Sequence, residues 1–328
     1  MKKEKRDWYD GYAEKIVKKD NACYWIHLSN DGGETVDYTV FPGISVCYHT
    51  LYNDNSISSL IYDGEVITID YCTEGRVEAE FRDGSMCYLP ERYMSVTCSC
   101  SQPKAVSFPL KKFSGVSVVI DLEEMDEDVI HLLDSFMINV RDLGENLKLE
   151  KNWFVCRPSE KVEQVFHDLQ TEERTISNLR LKVIELLQAV SKMDRVQAEN
   201  NIYYPKPMIE MTKEICAEMI AEIDNRVTVE QIVEKYDISM VVFYKVFMQI
   251  YGDTPYSYIK KYKMNIAAGK LSEGKMKIGD IALEMGYNNP SKFSKAFKSV
   301  YGVLPKNYRK KHRQGNEAAS EDKDAAEE

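Results

Sequence analysis

Long apolar runs are missing from this 328-residue chain. That excludes a helical membrane span, which needs about 20 consecutive apolar residues. The first nineteen residues, MKKEKRDWYDGYAEKIVKK, hold no apolar core of the signal-peptide kind, so a cytoplasmic protein is expected. Cysteine pairing signals are missing as well. The eight cysteines (23, 47, 72, 87, 98, 100, 156 and 216) show neither C-x-x-C nor zinc spacing, which predicts reduced, half-buried thiols. Only Cys98 and Cys100 stand close, and on a continuous strand they would share a face. G-x-S-x-G, phosphate-loop and dinucleotide fingerprints are also lacking, so no enzyme and no cofactor are expected.

Net charge is −10, but it is unevenly spread. Residues 255–313 carry 14 Lys/Arg against 3 Asp/Glu, while the tail 314–328 carries one Lys and six acids. A basic segment on an otherwise acidic chain is the footprint of local polyanion binding. The tail (GNEAASEDKDAAEE from 315) is acidic and of low complexity, so it is expected to be disordered.

From about Thr35 to Asp121 the pattern is of short strands between turns, which predicts a β-barrel or sandwich. Glu65–Phe81 alternates on either side of Thr73–Gly75 and reads as a hairpin; further strands are expected at Met86–Leu89, Met94–Cys100, Ala105–Pro109 and Val116–Ile120. Beyond Asp121 the chain turns helical, with amphipathic stretches at Glu127–Val140 and Glu160–Gln170. Leu179–Met193 carries Leu179, Val183, Leu186, Leu187 and Val190 on one apolar stripe, fit either for its own barrel or for a dimer seam. The divisions expected are a β-barrel sensing domain 1–125, a helical connector and dimerisation segment 126–196, a linker 197–206, a helical domain 207–313 and the tail 314–328.

The stretch Phe243–Lys261 recurs fifty positions on as Phe293–Lys311, with nine identities, among them Phe243/Phe293, Phe247/Phe297, Gly252/Gly302 and Pro255/Pro305. A repeat of this period marks a duplicated supersecondary unit. Each unit resolves into short helix, tight turn and longer helix. The first runs from Thr228 through Asp237-Ile238-Ser239 to Met240–Tyr251; the second from Ile278 through Gly286–Asn289 to Pro290–Tyr301. That is the helix-turn-helix arrangement, whose second helix enters the DNA major groove.

The run Ile281-Ala-Leu-Glu-Met-Gly-Tyr, then Pro290-Ser-Lys-Phe-Ser-Lys-Ala-Phe-Lys, then Gly302-Val-Leu-Pro-Lys-Asn-Tyr-Arg309 resembles the signature of the AraC/XylS transcription regulators, over about residues 207–311. The resemblance implies double-stranded promoter DNA as partner, and RNA polymerase too if the protein is an activator. Ser291, Lys292, Ser294 and Lys295 stand on the first turn and a half of the second recognition helix, where Lys can reach guanine O6/N7. Lys298, Lys306, Arg309 and Lys310 suit phosphates, which position without specifying. The first copy departs from the pattern. It carries Met240, Val241, Val242 and Tyr244 where polar side chains are commoner, and keeps Lys245 as its basic reader. Either the apolar residues touch thymine methyls, or this helix mainly aligns the domain.

The resemblance also implies an α+β multidomain architecture: an N-terminal cupin-like β-barrel that senses a small-molecule effector, a helical segment pairing a homodimer, and an all-α double helix-turn-helix domain. The segment Ile69–Glu78 bears a short likeness to regulators of the pyochelin-receptor type. A metal-dependent barrel of this kind wants two histidines one residue apart; here His49 stands alone, with His27 far off, so no metal is expected. Arg76, which follows the expected hairpin turn, is the first candidate effector anchor, with His49, Tyr48, Tyr71 and Glu78 beside it and an anionic or aromatic ligand in view. A hydrophobic cavity of several hundred Å3 would speak for sensing, and a solid barrel for a ligand-independent protein whose barrel only dimerises or binds a partner.

Overall fold

The computed structural model describes residues 15–19, 24–28, 33–52, 57–58, 64–149, 153–193, 204–222 and 228–311, with the backbone alone for 15–28 and 57–58. The chain divides into two compact units, 1–206 and 207–328. The expected linker 197–206 lies mostly outside the described residues, and the tail 314–328 wholly outside them.

The first unit is built on antiparallel strands. In chain order these are β1 (Lys15–Lys19), β2 (Tyr24–Leu28), β3 (Glu34–Phe41), β4 (Ile44–Leu51), β5 (Ile57–Ser58), β6 (Val66–Glu80), β7 (Met86–Pro90), β8 (Met94–Cys98), β9 (Ala105–Ser107), β10 (Phe113–Asp121) and β11 (Phe154–Cys156). The main path runs β1-β2-β3-β4-β10-β6-β8-β11, while β7 and β9 pair with the second half of β6 and β5 pairs with β9. Among the described strands β1 and β11 are not joined, so the path stays open rather than closing into a barrel.

The expected hairpin at Thr73–Gly75 is corrected. Val66–Glu80 is one strand of 15 residues that belongs to both parts of the sheet. Gly75, at φ +89°, lets the strand bend where the Lys112 carbonyl lies against it; a Cβ there would collide with that carbonyl. The register opposite also shifts, between Ser114 and Gly115. A Gly flanked by alternating residues thus marks a bend with close backbone approach rather than a reversal.

One face of this sheet carries the core. Ile67, Ile69 and Tyr71 of β6, Met94 and Val96 of β8, and Val116, Val118 and Ile120 of β10 are buried there. Four helices come after β10, with β11 between the second and third: α1 (Glu127–Ser135), α2 (Asp142–Asn146), α3 (Glu160–Thr171) and α4 (Ile176–Val190). Ser159 and Thr175 start α3 and α4 as N-caps, accepting from the Val162 and Asn178 backbone N–H groups. Burying the α4 stripe removes five large aliphatic side chains from water, a gross gain on the order of 10 kcal/mol. Here the dimer-seam reading is corrected. Leu179, Val183, Leu186, Leu187 and Val190 are each at most 2% exposed within their own unit. They join the sheet core and are not available to a second copy; Leu181, on the other side of the helix, is 67% exposed.

The expectation of reduced cysteines is corrected at one place. Cys98 and Cys100 form a disulfide. The chain leaves β8 at Cys98 and turns into a 3-10 helix over Ser99–Ser101, which brings the two Cα atoms to 5.2 Å, within disulfide reach.

The second unit is helical: α5 (Lys206–Ala221), α6 (Val229–Val233), α7 (Met240–Tyr251), α8 (Pro255–Glu273), α9 (Ile278–Glu284) and α10 (Pro290–Tyr301), with 305–311 helical after them. Thr228 opens α6 with a capping box closed by Gln231. Gly252 and Gly302, at φ 71° and 74°, end α7 and α10 in the left-handed conformation, so each longer helix stops at the same repeat position.

Candidate nucleic-acid interface and inner-sheet cavity

Each recognition helix is seated by a buried aromatic pair. In α10, Phe293 and Phe297 are fully buried, and Phe297 meets Tyr301 at 4.7 Å and Tyr308 at 5.3 Å between ring centroids. In α7, Phe243 and Phe247 are equally buried, with Phe247 against Tyr251 at 4.5 Å and Tyr258 at 5.5 Å. The two copies therefore bury the same positions, and whatever lies on the opposite helical face is turned outward. Helix α8 joins the two helix-turn-helix copies within the second unit. Its N-terminal end meets the first through Tyr258, and its later residues Met264, Ala267, Ala268 and Leu271 pack on α9 and α10. Its 19 residues span about 28 Å at 1.5 Å per residue. That is close to the roughly 34 Å between successive turns of one DNA groove.

The outward face of α10 is basic. Asn289 caps it, its side-chain oxygen accepting from the Ser291 N–H at 2.8 Å, and Pro290 takes the first helical position. Ser291, Lys292, Lys295 and Lys298 are exposed and Ser294 half-buried. Lys306, on the following helix, is exposed too. Lys292, Lys295, Lys298 and Lys306 form no ion pair with any described residue. Other lysines of the unit are engaged: Lys261 with Asp253 at 2.8 Å, Lys270 with Glu284, and Lys263 donating to the Met285 carbonyl.

Arg309 differs from its expected role at a phosphate. Its Nη2 donates to the Met276 carbonyl at 2.7 Å, and its Nε is buried without a partner. The guanidinium ties the end of the repeat to the loop between α8 and α9. The physical reason is local: a planar, multi-donor side chain reaching a turn with a spare carbonyl binds it, which ties up one of its N–H donors while the residue stays half-exposed.

The outward face of α7 is mainly apolar. Val241 is 66% and Met248 43% exposed, Tyr244 is half-buried, and Lys245 is exposed beside them. Ser239 caps this helix by accepting from the Val242 N–H.

In the first unit the five expected effector residues do not come together. Tyr48 and Tyr71 lie on the helix side of the sheet. Tyr48 donates its hydroxyl to the Leu169 carbonyl at 2.6 Å beneath the Arg174 guanidinium, and Tyr71 stacks on Phe166 at 4.5 Å. Arg76 and Glu78 lie past the bend. Glu78 is buried and accepts from the Tyr88 hydroxyl at 2.6 Å and from Ser107 at 2.9 Å. Burial pushes the Arg76 guanidinium down from its ordinary range, and its Nε has no partner.

His49 is placed differently. It belongs to the sheet face opposite the helices, and that face is polar in cross-strand rows. One row runs Asp37, Cys47, Ser117, Asp70 and Ser95 across β3, β4, β10, β6 and β8; the next holds Thr68 and Thr97. Ser117 donates to Asp70 Oδ1 at 2.6 Å, so the 3.0 Å contact between His49 Nε2 and Ser117 assigns the proton to Nε2, leaving Nδ1 to accept from Thr35 at 3.0 Å. Thr68 and Ser95 reach Asp70 Oδ2 at 3.3 and 3.4 Å. Burial pushes the Asp70 carboxyl up from the usual carboxylate range, against the pull of these three hydroxyls.

A cavity of about 140 Å3 opens on this face. Thr68, Asp70, Thr97, Ser99, Gln102 and Trp153 are among the residues that line it. It is smaller than the hydrophobic cavity expected for a sensing barrel, and Val66, Pro103 and Val106 line it together with the polar residues. Its residues escaped the sequence reading. The available signal was period-two polar spacing: Thr35-x-Asp37-x-Thr39, Ser45-x-Cys47-x-His49, Thr68-x-Asp70 and Ser95-x-Thr97.

The comparisons with known proteins bear on the second unit. A family profile described as a helix-turn-helix domain matches residues 232–311. No curated protein matches the chain significantly. Among solved structures the chain is similar to ToxT from Vibrio cholerae, at 15% identity over 81% of this chain and 98% of that one, with a TM-score of 0.32. It is also similar to the C-terminal domain of AraT, a response regulator from Geobacillus stearothermophilus (26% identity, 32% and 86% covered, TM-score 0.30). A third is the C-terminal domain of the two-component response regulator yesN from Fusobacterium nucleatum (27% identity, 30% and 98% covered, TM-score 0.28). With two capped recognition helices on one repeated core, and the profile match over 232–311, the second unit carries a helix-turn-helix domain of the AraC type over those residues.

Proposed function

We propose that this chain is a ligand-responsive DNA-binding transcription regulator of the AraC type, with promoter DNA read by both helix-turn-helix units and a small effector bound in the first unit. The observation that carries the second half is the polar inner face of the sheet. Polar groups are costly to bury, and a fold that needed only a solid core would fill this face with aliphatics. A ligand-bearing cavity gives those groups a purpose.

On the DNA, Lys292 and Lys295 meet base edges from the start of α10, with Ser291 and Ser294 beside them, while Lys298 and Lys306 take phosphates. In the first copy Lys245, Val241 and Tyr244 face the groove. RNA polymerase is the further partner if regulation is positive. Pairing of two copies through the α4 stripe is not part of this reading, because those side chains are already buried.

The test is a gel-shift titration on the DNA flanking the gene, repeated with a panel of metabolites. Specific binding whose affinity or transcriptional output shifts with at least one bound metabolite is expected. Specific DNA binding that ignores every metabolite the protein binds would leave a ligand-independent regulator.

A further inference from the structure

Asp70 is a half-buried carboxyl on this face whose hydrogen-bond partners among the described residues are the neutral hydroxyls of Ser117, Thr68 and Ser95. No described Lys, Arg or His touches it; the nearest cationic candidate, His49, stands one hydroxyl away behind Ser117. A carboxylate taken out of water asks for a counter-charge, and neutral hydroxyls supply only part of it. The cavity wall beside Asp70 adds two further features of one kind. Thr68, Thr97 and Ser99 present hydroxyl oxygens that can accept hydrogen bonds, and Trp153 presents an indole. No lysine or arginine is among the described residues that line the cavity. Carboxylate, hydroxyl acceptors and an aromatic face together suit a cation carrying N–H or N–CH groups, and would repel an anion.

We propose that the cavity beside Asp70 binds a small organic cation, an ammonium or guanidinium bearing only a few further atoms, with Asp70 as counter-charge and Trp153 against its apolar side. This deepens the effector reading above and rests on it for any regulatory consequence. It also reverses the ligand charge expected from Arg76: that residue lies beyond the bend of β6 and does not line the cavity. Size supports the restriction. About 140 Å3 falls below the 300–1,000 Å3 typical of pockets for drug-sized ligands.

The experiment is isothermal titration of the full chain with ethylammonium, ethanolammonium, tetramethylammonium and guanidinium chlorides. Acetate and ethylene glycol serve as anionic and neutral probes of similar size. The expected result is saturable binding of at least one cation and of neither control. Asp70→Asn, which keeps the shape and the hydroxyl partners, should weaken that cation about tenfold or more. Trp153→Phe should weaken it about threefold. Thermal melting of each variant without ligand shows whether the fold survives, and the two variants change different lining residues, so loss of one leaves the other readable. Absence of binding by all four cations, equal binding of acetate or glycol, or unchanged cation affinity in Asp70→Asn would overturn the proposal. Specific DNA binding measured on the same protein separates the two claims. DNA binding without cation binding sinks this inference alone, and cation binding that leaves DNA affinity and transcription untouched sinks the regulatory reading alone.

Discussion

Arg309→Ala separates a structural arginine from a DNA-contacting one. The guanidinium donates to the Met276 carbonyl at 2.7 Å. Removing it deletes one charge-assisted hydrogen bond and strands a carbonyl, a cost of about 2 kcal/mol. For a unit of about 100 residues, 1 kcal/mol moves the melting temperature by roughly 4 °C or more, so a drop of about 8 °C in the transition of the second unit is expected. DNA binding is read on a generic duplex, because salt dependence reports phosphate contacts whatever the sequence. Each phosphate contact contributes about 0.9 to the slope of log K against log salt. Arg309→Ala should leave that slope unchanged once measured well below its melting point. Lys306→Ala should do the opposite, lowering the slope by about 1 with no change in melting. An Arg309→Ala protein that melts like wild type and loses a full unit of slope would refute the structural assignment.

Other outcomes follow from the same geometry. Lys295→Ala should cost more operator affinity than Lys245→Ala, because α10 presents a basic face where α7 presents Val241 and Met248; equal losses in a gel-shift comparison would show the two helices to be equivalent in use. Leu186→Ala, at a fully buried position of α4, should destabilise the first unit by about 2–5 kcal/mol in denaturant. Its melting should show no dependence on protein concentration, whereas a concentration-dependent shift would return the stripe to a dimer interface.

The helical half was legible because its signals are local. A fifty-residue repeat, helix-stop glycines at 252 and 302, and capping residues at 228, 239 and 289 each act within one turn of chain, and the buried Phe pairs recur at the same spacing. The sheet half was legible only as a class. Which polar residues meet depends on strand register, and register joins residues far apart in sequence: Ser117 sits beside Asp70 at a separation of 47, and His49 beside Ser117 at 68. The alternation of Thr68, Asp70 and Cys72 showed a polar face but not its neighbours. Gly75 looked like a turn because a bend and a reversal share the same residue preference, and only the Lys112 carbonyl against it tells them apart. Arg309 looked like one more surface cation, since nothing local announced the carbonyl of Met276. Aromatic residues of the sheet drew attention as a ligand pocket, yet Tyr48 and Tyr71 are consumed by α3.

The central claim is that both helix-turn-helix units enter the major groove on one side of a duplex. Dimethyl sulfate interference, on DNA selected by the protein from random sequence, reads guanine N7 in that groove directly. Two clusters of interference with centres about 10–10.5 base pairs apart are predicted, with the cluster under α10 lost in Lys295→Ala. A single cluster, or two on opposite faces of the helix, would contradict the account.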